Sequence, residues 1–362
     1  FGTNPAGIEF DAQITGGGEG GSIGRRFSVG SGGGYNVNWD AVWQVKALKG
    51  EFGWSAEFAI PFKTLRYKEG KDQSWGINFE RVIARKKEES HWAPIPRQFT
   101  MTRLVSAGTI NDINVPSSRN LKIMPYVLGQ NNKIKDTEST DNSKSDFGLD
   151  AKVGVGSSMN LDLTYNTDFA QVEADEQQIN LDRFSLFFPE KRSFFLENAG
   201  LFSIGSGGGY GGPDIDMFFS RRIGVGAGGT PVPILGGGRL TGTLSGMKLG
   251  ILTMQSDQVK DVTDKNQYSV LRLKKELPNR THFGGMYTAL NHLGDNGYMN
   301  QSYALDTQLG IGELSKIVAF AGFTNTPELK GDNAYAYRLE AARDTKSIST
   351  SLSYAEVGAN FN

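Results

Sequence analysis

The chain contains no cysteine, which removes disulfides, thiolate metal sites and cysteine nucleophiles, and leaves an oxidising envelope allowed as its compartment. Only three histidines occur, His91, His282 and His292. None has metal-ligand spacing to another, so neither a histidine-based zinc site nor a catalytic triad is expected, and no cofactor or catalytic residue is assigned. No run of 18 apolar residues exists, and only 38% of residues are hydrophobic, which excludes a helical membrane protein. Thirty-eight basic residues offset 39 acidic ones to a net charge of −1, so no nucleic acid is expected as a partner. The opening "FGTNPAGIEFDAQI" lacks an initiator Met, a basic region and an apolar region. Any signal peptide is therefore expected to have been removed or to lie upstream.

Glycine, in contrast, is abundant at 47 residues. The stretch Gly16–Gly34 reads as a long mobile loop. "GSIG", "GVGAGG" and "GSGGGYGGP" do not follow a strand and open a helix, so they read as loops and not as phosphate cradles. All five tryptophans, Trp39, Trp43, Trp54, Trp75 and Trp92, fall in the first 92 residues, a composition break that implies two domains, 1–115 and 116–362. In the first, "DAVWQVKAL", "GWSAEFAI" and "WGINFERVI" read as half-buried strands, with Trp54, Ala56, Phe58 and Ile60 on one face. The expectation is a β-sandwich with a Pro-rich exit at "APIPRQF".

From Asn120 the pattern becomes strands of about ten residues with strict alternation. Phe147, Leu149, Ala151, Val153 and Val155 oppose Asp150 and Lys152; Met159, Leu161, Leu163 and Tyr165 oppose Asn160, Asp162 and Thr164. Tyr303, Leu305 and Leu309 oppose Ser302, Asp306 and Gln308, while Ile348, Thr350, Leu352 and Tyr354 oppose a run of serines. Long polar connections alternate with tight ones near Gly156, Ser245, Pro278, Gly312 and Thr345. Together these features predict an all-β fold: an antiparallel, up-and-down transmembrane β-barrel preceded by the sandwich. The phase of the connections puts long loops outside, tight turns in the periplasm and the Trp-rich domain periplasmic, in a bacterial outer membrane. Strands near 120–130, 146–155, 158–167, 237–244, 247–255, 267–276, 281–290, 301–310, 315–324, 334–343 and 348–357 number eleven. Bacterial barrels have even counts, so the barrel is expected to be incomplete here, and the first domain cut as well.

"NTDFAQVEADEQQINLDRFSLFFPEKRSFFLENAGLF", "FFSRRIGV" and "PVPILGGGRLTGTLSGMKLGILTMQ" resemble an uncharacterised outer-membrane β-barrel family common in Bacteroidetes. In that family a domain similar to carbohydrate-binding module family nine precedes the barrel. "WDAVWQVKALKGEFGWSAEFAIPFKTLRY" and "WGINFERVIARKKEESHW" resemble the second half of such a module. The resemblance implies glycan binding by inheritance of the module's name, and no established activity for the barrel.

Indole faces stack on the apolar C–H faces of sugars. Trp39, Trp43, Trp75 and Trp92, with Arg81, Arg85 and Glu89, are the stacking candidates, set against ordinary core packing, which is the reading for Trp54. The acids of 166–200 suggest a glycosidase pair or a calcium site, but no Gly lies between Gly156 and Gly200 for a calcium loop, and sequence cannot give a carboxylate separation. A charge network is the preferred reading. Arg183, Glu190, Lys191, Arg192, Glu197, Arg221 and Arg222 pair inside the barrel, Phe184, Phe187, Phe188, Phe194, Phe195 and Phe202 pack between the segment and its wall or form part of an aromatic girdle, and 166–236 becomes two strands plus an inward-folded loop that constricts or plugs the pore. The expected function is ligand or glycan binding, or transport across the outer membrane, with lipid, oligosaccharide and other envelope proteins as partners. A glycoside-hydrolase-associated protein and a membrane-anchored scaffold are the alternatives.

Overall fold

A computed structural model describes residues 1–14, 35–36, 39, 41–65, 67, 70–97, 99–115, 121–133, 141–156, 158–167, 190, 192–204, 215–226, 230–294, 297–327, 329 and 333–361. The loop expected at 16–34 lies outside them. The protein is all-β, and its two parts are built differently.

Residues 1–115 pair as five separate two-stranded antiparallel ladders. They are β1 (Gly2–Thr3) with β2 (Glu9–Phe10), β3 (Gln13–Ile14) with β4 (Tyr35–Asn36), β5 (Gln44–Gly50) with β6 (Gly53–Ala59), β7 (Gly70–Ile77) with β10 (Gly108–Val115), and β8 (Glu80–Ile83) with β9 (Glu88–His91). Two-stranded ladders are marginal alone, so side chains must tie them together. Asp11 accepts from the Ala41 N–H at 2.9 Å and the Trp43 indole N–H at 3.1 Å. Asn78 receives the Ala93 N–H at 2.8 Å and donates to the Ala93 carbonyl at 3.2 Å.

Residues 121–357 contribute one eleven-stranded antiparallel sheet in which every strand pairs with its sequence neighbours. Its members are β11 (Leu121–Lys133), β12 (Asp141–Val155), β13 (Met159–Tyr165), β14 (Ile234–Leu244), β15 (Met247–Ser256), β16 (Asn266–Leu277), β17 (Thr281–His292), β18 (Met299–Ile311), β19 (Ser315–Asn325), β20 (Tyr335–Asp344) and β21 (Ser349–Val357). Each matches one expected strand to within a few residues. Among the described residues no ladder joins β11 to β21.

Tight and long connections alternate, so all tight turns lie at one end of the sheet. Ser245 and Gly246, at φ 50° and 73°, make the two-residue turn between β14 and β15, the positive-φ geometry whose twist suits a hairpin. Arg103 of the N-terminal part, buried against the Phe99 ring, donates to the carbonyl of Glu313 at 2.6 Å. Glu313 sits in the turn between β18 and β19, so the N-terminal part contacts the tight-turn end.

The pleat sorts side chains onto two faces. One face is exposed and apolar from β11 to β21, with Val127 at 79%, Leu305 at 69% and Leu352 at 78% relative exposure. The other is covered by the segment between β13 and β14. There Phe194, Phe195, Phe202, Ile204, Ile215 and Ile223 of that segment pack on Ile234, Leu252, Met254, Val270, Met286, Ala304, Phe320 and Ala336 of the sheet. Each such large side chain contributes about 1.5–3 kcal/mol when fully buried.

One expectation for 166–236, its pair of strands, is corrected here. The segment adds no strand to the sheet among its described residues, because Met159–Tyr165 already pair with 242 to 236 of β14. Its described regular structure is one helical turn, Ser193–Leu196, and the 3-10 turns Ala199–Leu201 and Ser220–Arg222. Buried phenylalanines, and not ladder hydrogen bonds, hold it.

Candidate functional site

Charged residues on the covered face organise where the inserted segment meets the sheet. Glu190 and Arg192 form a bidentate pair, Nε to Oε1 at 2.8 Å and Nη2 to Oε2 at 2.6 Å, with both side chains under 5% exposed. Arg192 also donates to the carbonyls of Ile223 and Ser220 at 2.7 Å each, and Ser220 Oγ donates to Glu190 Oε2 at 2.7 Å. One guanidinium therefore fastens residues 190–192 to the turn at 220–223, with its plane 4.2 Å from the Phe195 ring centroid. A buried pair with its remaining donors satisfied in this way is held much more firmly than a surface one.

A second group fastens the segment to the wall. Arg239 of β14 donates to Asp162 of β13 at 2.8 and 3.2 Å, and to the Glu197 carbonyl at 2.5 Å. Lys152 of β12 lies 3.6 Å from Asp162 and hydrogen-bonds the Glu197 carboxylate. Asn198 donates to Thr241 Oγ1 at 2.8 Å. The Arg239 and Asp162 positions pair directly in the sheet register, which puts both side chains on one face. Lys152 and Arg239 thus face Asp162 and Glu197, so each of these charges has an opposite one beside it.

A third group lies nearer the tight turns. Arg272 of β16 grips Asp306 of β18 at 2.7 and 2.8 Å, with His282 of β17 3.4 Å from the same carboxylate. The pair crosses over Gly284, where a Cβ would collide with both partners. Lys248 binds Glu276 at 2.7 Å alongside. On β20, Arg338 and Glu340 pair at 2.7 Å, both nearly inaccessible.

Of the charges proposed from sequence, Glu190 and Arg192 come together, but with each other two residues apart and not across a gap. Glu197 meets the wall through Lys152, a residue absent from the sequence-derived set, as were Asp162, Arg239, Arg272, Asp306, Arg338 and Glu340. Their common signal was polar parity in the alternating strands. Arg221 is buried, and desolvation lowers its guanidinium from the ordinary value. Arg222 is exposed, so it is not part of the buried network. Arg183, Lys191, Phe184, Phe187 and Phe188 lie outside the described residues.

The sugar-stacking candidates occupy three separate aromatic groups. Trp43 is buried, stacked on Phe58 at 5.6 Å with an angle of 5°, and Phe1 lies edge-on to both Trp43 and Trp39. Trp75 contacts Phe62 and Tyr67, and its indole donates to Gln73 at 3.0 Å. Trp92 lies edge-on to Phe79 and against Gly108, and is 60% exposed. No ring contact joins these groups among the described residues. Arg81 lies 4.8 Å over Trp54, a half-buried ring where a core position was expected. Arg85 and Glu89 are exposed on β8–β9 and the turn between them.

No group of three or more His, Asp or Glu side chains is placed to hold a metal ion among the described residues. The described ion pairs are cross-braces: Arg192 and Arg239 donate to carboxylates and backbone carbonyls, whereas Arg272 Nε and Arg338 Nε and Nη1 are buried without a hydrogen-bond partner among the described residues.

The family described as Domain of unknown function (DUF5916) matches residues 116–233, the stretch that carries β11, β12, β13 and the inserted segment up to β14. A comparison with curated proteins finds no match. The chain is similar to that domain over the first three strands of the sheet and most of the segment that covers its inner face.

Proposed function

We propose that the eleven-stranded sheet is the wall of an outer-membrane β-barrel, that the inserted segment plugs its lumen, and that the N-terminal part is a β-sandwich-like periplasmic binding unit. The work of the whole is ligand binding or passage across the membrane. One observation carries this reading: a continuous face of exposed Leu, Ile, Val, Phe and Tyr runs over every strand from β11 to β21, while the buried charges lie on the opposite face. A water-soluble sheet would hide the apolar face and expose the charged one. Hydrocarbon on the apolar side reverses that preference. Tyr165, Tyr287, Tyr303, Tyr335, Tyr337 and Tyr354 lie on the apolar face toward the long-connection end, as an interfacial girdle requires.

The plug is tested by conductance in planar bilayers. Replacing Arg192 and Glu197 together by Ala releases both fastenings and is expected to raise single-channel conductance; unchanged conductance would count against the plug.

Exposed Trp92 favours a second element of the reading, sugar stacking by the N-terminal part. Titration with xylo- and gluco-oligosaccharides is expected to give heat with the native chain and none with Trp92→Ala. Equal heats would remove Trp92 from the sugar site, and no heat with the native chain would leave the N-terminal part as a scaffold.

A further inference from the structure

The apolar face carries a single described carboxylate near its long-connection end, Glu356 of β21. Tyr335 Oη donates to its Oε1 at 2.7 Å, and Tyr337 Oη and Tyr354 Oη donate to its Oε2 at 2.5 and 2.9 Å. The sheet register makes this arrangement: Tyr337 stands directly opposite Glu356, Tyr335 is two residues before it on β20, and Tyr354 is two residues before Glu356 on β21. The three rings stand side by side, with centroids 5.9 and 6.0 Å apart.

Counting donors and acceptors fixes what this cluster accepts. All three phenol hydrogens are committed to Glu356, so the group presents only lone pairs outward. It carries one negative charge, and Glu356 has no Lys or Arg partner among the described residues. The other charged residues of described placement on this face, Lys275 and Arg343, sit toward the tight turns. Phosphate and carboxylate ligands are excluded by charge and by the lack of free donors. A ligand must bring positive charge and N–H groups together. Leu339 and Leu352 are exposed on the same face on the tight-turn side of the cluster, so it lies where the apolar band gives way to the long connections.

We infer that Glu356, Tyr335, Tyr337 and Tyr354 form a binding site for a lipid headgroup bearing a primary ammonium. The inference rests on the membrane reading above. The ammonium donates to the open lone pair of Oε1 and to phenol oxygens, while its charge lies beside the tyrosine rings. Acyl chains then continue along Leu339 and Leu352.

The test uses the full chain in detergent and native mass spectrometry with lipids of identical acyl chains and ethanolamine, choline or glycerol headgroups. Choline keeps the charge but has no N–H donor, and glycerol lacks the charge. The native chain is expected to retain the ethanolamine lipid about fivefold better than the choline lipid, the ratio one interaction of this class supplies. Glu356→Gln, which keeps the shape and one accepting oxygen but removes the charge and turns the other acceptor into an N–H donor, is expected to bring the ratio to one, and Tyr337→Phe to reduce it. Equal retention of the two lipids by the native chain overturns the inference. So does a preference that survives Glu356→Gln, or binding of Mg²⁺ alone by the native chain with no lipid preference, which marks a hydrated metal site. Flotation with vesicles is read separately: a chain that does not float sinks the membrane reading itself, whereas a floating chain without headgroup preference sinks only this site.

Discussion

The N-terminal part and the large sheet satisfy their backbones in opposite ways. Residues 1–115 use five short ladders, and their buried hydrophobic side chains among the described residues are Trp43, Ala93 and Val115. Stability there comes from polar ties such as Asp11 to Trp43 and from the Arg103 contact with Glu313. The sheet instead shares one continuous hydrogen-bond ladder and concentrates its core under the inserted segment. The difference teaches that strand content alone says little about how a region is held. One region leans on individual side chains; the other leans on its ladder and one packed face.

That contrast is open to direct test. Dilution of detergent below its micelle concentration is expected to aggregate the whole chain through the sheet's apolar face, as read by sedimentation; a monomer in plain buffer would break the comparison outright. Under the sheet, Arg192→Ala removes the guanidinium from buried Glu190 and should cost about 3–5 kcal/mol in denaturant unfolding monitored in detergent. Met254→Ala, at a position 1% exposed, should follow at about 2–4 kcal/mol by cavity formation. Gly284→Ala, which drives a methyl group between Arg272 and Asp306, is expected to cost about 1–3 kcal/mol through overpacking and loss of that pair. Smallest is Arg81→Ala in the N-terminal part, where loss of an exposed cation–π contact should amount to about 0.5–1 kcal/mol, seen as a small change in Trp54 fluorescence and in the first unfolding transition. A larger loss there than at Met254 would reverse the ranking of the two regions.

All eleven strands of the sheet were legible because each repeats a two-residue sidedness over roughly ten residues, and the turns carry their own chemistry, as at Ser245–Gly246. The covered face was legible in part. Phe194, Phe195 and Phe202 were expected against the wall and lie there. The pairing of charges was not legible. Asp162 and Arg239 are 77 residues apart in sequence, so nothing local marks them as neighbours. A separation of 45 residues hid Lys152 from Glu197 in the same way. In the N-terminal part, the four candidate tryptophans looked like one platform because they cluster in sequence, yet their ring partners differ.

Alternation of apolar and polar residues, read along the chain, determined which side chains share a face and where the strands turn, because the pleat enforces a period of two whatever the strand is packed against. Which cation meets which anion, which phenylalanines seal the covered face, and that three tyrosines converge on Glu356 were decided by the tertiary structure alone. Those contacts depend on register between strands and on how a long insertion folds back, and a register is fixed only when neighbouring strands actually pair.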